Sequence, residues 1–296
     1  MEPQTQQPSS STKSSIATID DLPLVTVEAG SRGFLELGEL WRYRELFYFL
    51  VWRDLKVRYK QTALGVMWAL LQPLAMMVVF SPFFHRLSDI STGAVPYPVI
   101  VNAGILPWQF FANAISNASG SLIGSQSLVT KVYFPRLIIP IAATATALVD
   151  FAIAFVLLLG LMLYYGSPFG WTILLAPGII LLLMLTAIGI GVLLSALTVA
   201  YRDFRYVLPY MIQLWMFSTP TIYMKERAHL NPRWGLVLPL NPVDGLITNF
   251  RAMMLGGDYS SEFAYALAVS STVGLLLLVA GCRYFRRVES SFADVI

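Results

Sequence analysis

A chain of 296 residues in which 56% are hydrophobic and 12% charged falls far short of the roughly 25% charged residues of soluble domains. With a mean hydropathy of +0.65, the composition is that of an all-α integral membrane protein. The net charge of +3 comes from basic residues scattered through loops beside apolar spans, which argues against nucleic acid as a partner, and the lone Cys282 excludes an internal disulfide or a cysteine metal cluster.

In chain order, residues 1–38 open with the polar run MEPQTQQPSSSTKSS. It has no apolar core, so no cleavable signal peptide is expected, and the segment reads as a flexible cytoplasmic N-terminus. Within it PLVTVEAG, Pro23 to Gly30, alternates enough for a short strand. Residues 39–61 are expected to form an N-terminal amphipathic interfacial helix. At 3.6 residues per turn Tyr48, Trp52, Leu55 and Tyr59 share one sector and Arg53, Lys56 and Lys60 the next, which suits acyl chains on one side and phosphates on the other.

Residues 62–283 read as six transmembrane helices, each long enough for ~30 Å of hydrocarbon. Span one, Thr62 to Phe84, carries Gln72-Pro73, and the proline removes one backbone hydrogen bond. Span two, Pro98 to Ala118, is interrupted by Asn102, Gln109, Asn113 and Asn117, so it should line protein or water. A short amphipathic piece, Ser119 to Arg136, leads to span three, Leu137 to Tyr165, which holds the acid Asp150. Span four, Trp171 to Ala200, offers Gly189 and Gly191 for close helix contact. The YRDFRY turn, Tyr201 to Tyr206, precedes span five, Val207 to Met224. Re-entrant or interfacial helices are expected between Lys225 and Glu262, where each apolar piece is too short to cross. Span six, Ala264 to Cys282, runs into a C-terminal tail, 284–296. An inverted repeat of the kind seen in many secondary transporters is not evident. On this topology fifteen of the 20 lysines and arginines fall on the side holding both termini, which makes that side cytoplasmic.

The sequence holds no GxxxxGK[ST], HExxH, GxSxG or CxxC, and His85 and His229 lie in different links. No catalytic or metal site is expected, and energy for uphill transport would come from another chain. Asp150 is open to two readings: a proton or substrate site, or a protonated or hydrogen-bonded packing residue near Thr144 or Thr146. The lack of lysine and arginine in any span favours packing. The aromatics Trp68, Tyr97, Trp108, Phe110, Phe111, Trp215, Phe217 and Tyr223 suit either an interfacial belt or a saccharide path. On the second reading Asn102, Gln109 and Asn113 hydrogen-bond sugar hydroxyls.

The blocks WRDLKVRYKQTALGVMWALLQP, PYPVIVNAGILPWQFFANAIS, LVTKVYFPRLIIP, YRDFRY and LNPVDGLITNFR, in unbroken order, resemble the permease subunits of ABC-2 type polysaccharide exporters. O-antigen (lipopolysaccharide) export permeases are the nearest in pattern, with teichoic-acid and capsule exporters further off. The resemblance implies an ABC-2 type permease domain over 62–283 and a homodimer in the cell inner (plasma) membrane. It also implies two copies of a separate cytoplasmic ABC ATPase that hold ATP and Mg, with no cofactor on this chain. The cargo it implies is an undecaprenyl-diphosphate-linked polysaccharide.

Carried over by motif, the headgroup- and ATPase-facing residues are Arg53, Asp54, Lys56, Arg58 and Lys60 before span one. They continue with Leu128, Lys131, Tyr133, Phe134 and Arg136 after span two, and Arg202, Asp203 and Arg205 in the later turn. A drug or small-lipid ABC-2 exporter is the rival within transport. A membrane enzyme acting on lipid-linked sugars is the rival outside it, but Asp89, Asp244, Asp258 and Glu262 are too scattered to give such an enzyme its paired acids.

Overall fold

A computed structural model describes residues 37–60, 62, 65, 67–87, 95–132, 134–167, 170–219, 238–256 and 261–292. The expected strand at Pro23 to Gly30, Tyr133, Tyr223, His229 and the side chain of His85 lie outside the described residues.

Every regular element among the described residues is helical. Helices α1 (Leu37–Arg42) and α2 (Arg44–Tyr59) precede α3 (Met67–Leu87), and α4 (Tyr97–Gly124) is followed by the short α5 (Gln126–Lys131). Then come α6 (Ile138–Tyr164), a 3-10 turn (Trp171–Leu175) leading into α7 (Ala176–Ala200), α8 (Phe204–Ser218), α9 (Asp244–Leu255) and α10 (Ser261–Val288).

Among the described residues four segments are long and apolar enough to cross a membrane: Tyr97–Gly124, Ile138–Tyr164, Trp171–Ala200 and Ser261–Val288. In α3 the apolar stretch is shorter, Met67–Val79. The 15 residues of α8 reach about 22 Å, short of the ~30 Å core. Span two extends past Ala118 because the SGSLIG run stays helical. Ser119 and Ser121 return their hydroxyls to the carbonyls of Ser116 and Ala118, and the helix breaks only at Ser125. Span five begins early, since Tyr201 to Asp203 suffice to turn the chain and Phe204 is already helical.

Backbone approach at small residues sets the centre of the bundle. A Cβ on Gly281 of α10 would meet the Gly189 carbonyl of α7, and one on Gly189 would meet the Leu278 backbone. A Cβ on Gly191 would meet Ala118 of α4. Both glycines thus do the work expected of them, since in lipid helices associate through close packing rather than hydrophobic exclusion. The buried Ala266, Ser270 and Gly274 on α10 recur every four residues and form one stripe. Helix α9 is buried from Asp244 to Phe250 and too short to cross, with Ser270 Oγ accepting from the Gly245 N–H.

Two large apolar clusters result among the described residues, beside a small one of Tyr97, Val101 and Ile105. One gathers Trp108, Phe110, Phe111, Phe151, Leu183 and Phe250. The other gathers Leu50, Leu122, Phe134, Leu137, Phe285 and Phe292 around the end of α4. Leu50 fixes the pose of α2. The helix turns Leu46, Phe47, Leu50 and Val51 toward protein, while Tyr48 and Trp52, from the expected membrane sector, face outward.

Candidate functional site

Helix α2 packs along α6, so its last turn does not stay at the level of the loops. Arg53 pairs with Asp54 at 2.8 Å and donates to Ser125 Oγ at 3.2 Å, at the break between α4 and α5. Five residues on, about 7.5 Å of helix rise, Arg58 donates to Asp150 Oδ2 and Tyr59 donates its hydroxyl to Asp150 Oδ1. Asp150 is thus hydrogen-bonded, as one of its two readings had it, but not to Thr144 or Thr146. Those hydroxyls turn back to their own helix, at Pro140 and Ala143, and the carboxylate takes its partners from α2. Burial first, and the bond to Asp150 second, push the Tyr59 phenol up to about 12, so it remains a donor through the physiological range.

The triad walls a cavity of about 350 Å³ between α2, α3, α4 and α6. Trp68 and Gln72 of α3, Gln109, Phe110, Asn113 and Asn117 of α4, and Phe151 of α6 face it. The Gln109 Nε2 is buried there with no hydrogen-bond partner among the described residues. A second cavity of about 400 Å³ lies toward Ser125, lined by Arg53, Asp54, Ser121 and Thr146. Arg58 and Asn117 border both, so the Arg58 guanidinium stands between a loop-level chamber and one at the middle of α6.

The structure sorts the aromatic candidates. Trp68, Gln109, Phe110 and Asn113 meet at the first cavity. Tyr97, Asn102, Trp108 and Phe111 are instead buried inside the subunit. Phe111 packs edge-on against Trp215 at 5.2 Å between centroids, and the Trp215 indole donates to Asn241 Oδ1 at 3.0 Å. Phe217 lies exposed on α8. Alternation of amides and rings along α4 was legible in the sequence; which face meets the cavity depends on α6 and α7 covering the rest.

The basic and coupling candidates divide in the same way. Lys56 lies over the Trp52 ring at 5.3 Å, and Lys60, Lys131, Arg202, Asp203 and Arg205 are exposed. Leu128 packs against the apolar cluster in which Phe134 is buried. Arg136 is held by Glu289, whose Oε1 accepts its backbone N–H at 3.2 Å and whose carbonyl accepts the guanidinium. Not singled out from the sequence were Gln72 as a lining group and the Tyr59 hydroxyl, whereas Asn117, one of the polar interruptions of span two, reaches Thr146 Oγ1 at 3.5 Å. A membrane acid without a cation in its own span could have pointed to the basic helix before span one.

The family model described as ABC-2 type transporter matches residues 45–255. The O-antigen export system permease protein RfbA of Myxococcus xanthus is 29% identical over 259 residues, covering 87% of this chain and 98% of the relative. A protein of the same name from Klebsiella pneumoniae is 24% identical over 257 residues, 85% of this chain and 95% of the relative. The polysialic acid transport protein KpsM of Escherichia coli is 22% identical over 242 residues, 81% and 92% of the two chains.

Proposed function

The chain belongs to the ABC-2 type transporter family, and from that premise we propose that it is the membrane subunit of an ATP-driven exporter of lipid-linked polysaccharide. Support comes most directly from the near full-length similarity to a protein named as an O-antigen export permease. The paired cavities agree with it, running from a loop-level chamber lined by Arg53, Asp54 and Arg58 to an amide- and aromatic-lined one. In this reading the cargo carries an undecaprenyl diphosphate, which the exposed Lys56 and Lys60 attract at the membrane surface. Two chains pair, with α3 and α8 completing six spans in each, α9 re-entrant and both termini cytoplasmic. Two copies of a separate ATPase bind ATP and Mg and press on α5 and the Tyr201 to Asp203 turn, where Lys131, Arg202 and Asp203 are exposed.

The similarity to a polysialic acid transport protein supports a capsule polymer as the second cargo reading. Deleting the chain tests the proposal. Lipid-linked glycan should accumulate inside the cell and vanish from its surface, and the purified chain should bring down an ATPase that the glycan stimulates. An unchanged surface glycan would refute it.

A further inference from the structure

The cavity beside Asp150 is electrically balanced, since Arg58 and Asp150 are the only charged groups among its described lining residues and they pair with each other. A diphosphate entering it would meet a carboxylate with no unpaired cation to offset it. A hydroxyl-rich ring meets a different surface. Asp150 and Asn113 can accept hydroxyl protons, the Gln109 Nε2 can donate one, and Trp68, Phe110 and Phe151 add apolar wall for the C–H side of a sugar. About 350 Å³ sits at the lower end of the ~300–1,000 Å³ typical of small-molecule pockets, a size for one or two rings.

We propose that this cavity binds a neutral sugar of the exported glycan, with Asp150 and Gln109 holding its hydroxyls and Arg58 and Tyr59 positioning the Asp150 carboxylate. The inference rests on the polysaccharide reading above and adds where and by which groups the sugar is recognised. Because the Gln109 Nε2 has no partner to lose among the described residues, Gln109→Leu weakens sugar binding without weakening the fold.

The test uses the full chain in nanodiscs and two probes. One is lipid-linked glycan extracted from cells lacking this chain; the other is undecaprenyl diphosphate without sugar. Wild type should prefer the glycan-bearing lipid by about 10-fold. Gln109→Leu and Asp150→Asn should each cut that preference about 3- to 10-fold, and Gln109→Leu should leave affinity for undecaprenyl diphosphate unchanged and melt no lower than wild type. An undiminished preference in both folded variants, equal loss for both lipids, or no preference in wild type overturns the sugar site. If deletion cells accumulate no such glycan, the export reading itself has failed, which separates the two outcomes.

Discussion

Arg58, at the end of the helix before the first span, donates to Asp150, 92 residues further on and at the middle of α6. The pair joins the helix that precedes α3 to the centre of a helix long and apolar enough to cross a membrane. Removing one partner strands the other. With side-chain exposures of 34% and 16%, solvent screens the pair in part, so Asp150→Ala should lower stability by about 1–2 kcal/mol. Adding Arg58→Ala should recover part of that loss in thermal melts, whereas strictly additive effects would deny the coupling.

Tyr59 gives the pair a pH dependence whose sign follows from its raised folded value. A phenol at about 12 in the fold and near its ordinary 10.0 when unfolded contributes fully below pH 10, and the contribution fades as pH climbs toward 12. Tyr59→Phe should therefore cost about 1 kcal/mol, evenly from pH 6 to 9, with the gap to wild type narrowing above pH 10. Denaturation series at several pH values measure this.

Glycines divide into those a backbone crowds and those in open space. Gly189→Ala and Gly281→Ala should each cost about 1–3 kcal/mol or more, because the new methyl meets backbone that cannot swing aside. Gly178→Ala, with nothing within 4 Å, should be neutral or raise stability by up to about 1 kcal/mol through helix propensity. Melting in detergent ranks the three.

Two tryptophans that look alike in the sequence should behave differently. Trp108 is 4% exposed in the core, so Trp108→Ala should destabilise by about 3–5 kcal/mol and lose export through lost protein. Trp68 is 56% exposed beside the cavity, and Trp68→Ala should keep the fold yet reduce flux. Expression level and transport, measured together, distinguish them.

The short α5 and the turn after it offer a parallel contrast for the ATPase surface. Lys131→Ala should change stability by less than about 0.5 kcal/mol while reducing co-purification of the ATPase. Phe134→Ala, three residues on, should cost about 3–5 kcal/mol because it leaves a void in the buried cluster that also holds Leu137 and Phe285.

Much of the helical layout was legible because a membrane leaves the backbone no alternative and makes each span an apolar run. Gly189 and Gly191 could be read as contact points for the same reason: among apolar side chains, only small ones let helices touch. Two boundaries escaped. Serines 119 and 121 look like a loop by composition yet bond within α4, and the YRDFRY turn looks longer than the three residues the chain needs.

Composition and periodicity by themselves determined that the chain is a helical membrane protein and that span two is too polar to face lipid. Only the tertiary structure decided that Asp150 is matched by Arg58 and Tyr59, and that Gln109 and Trp68 face a cavity while Trp108 and Phe111 do not. The reason is physical: a hydropathy pattern states what one helix needs from its surroundings, whereas a carboxylate's partner and a ring's exposure depend on which other helix arrives beside it, and at what height.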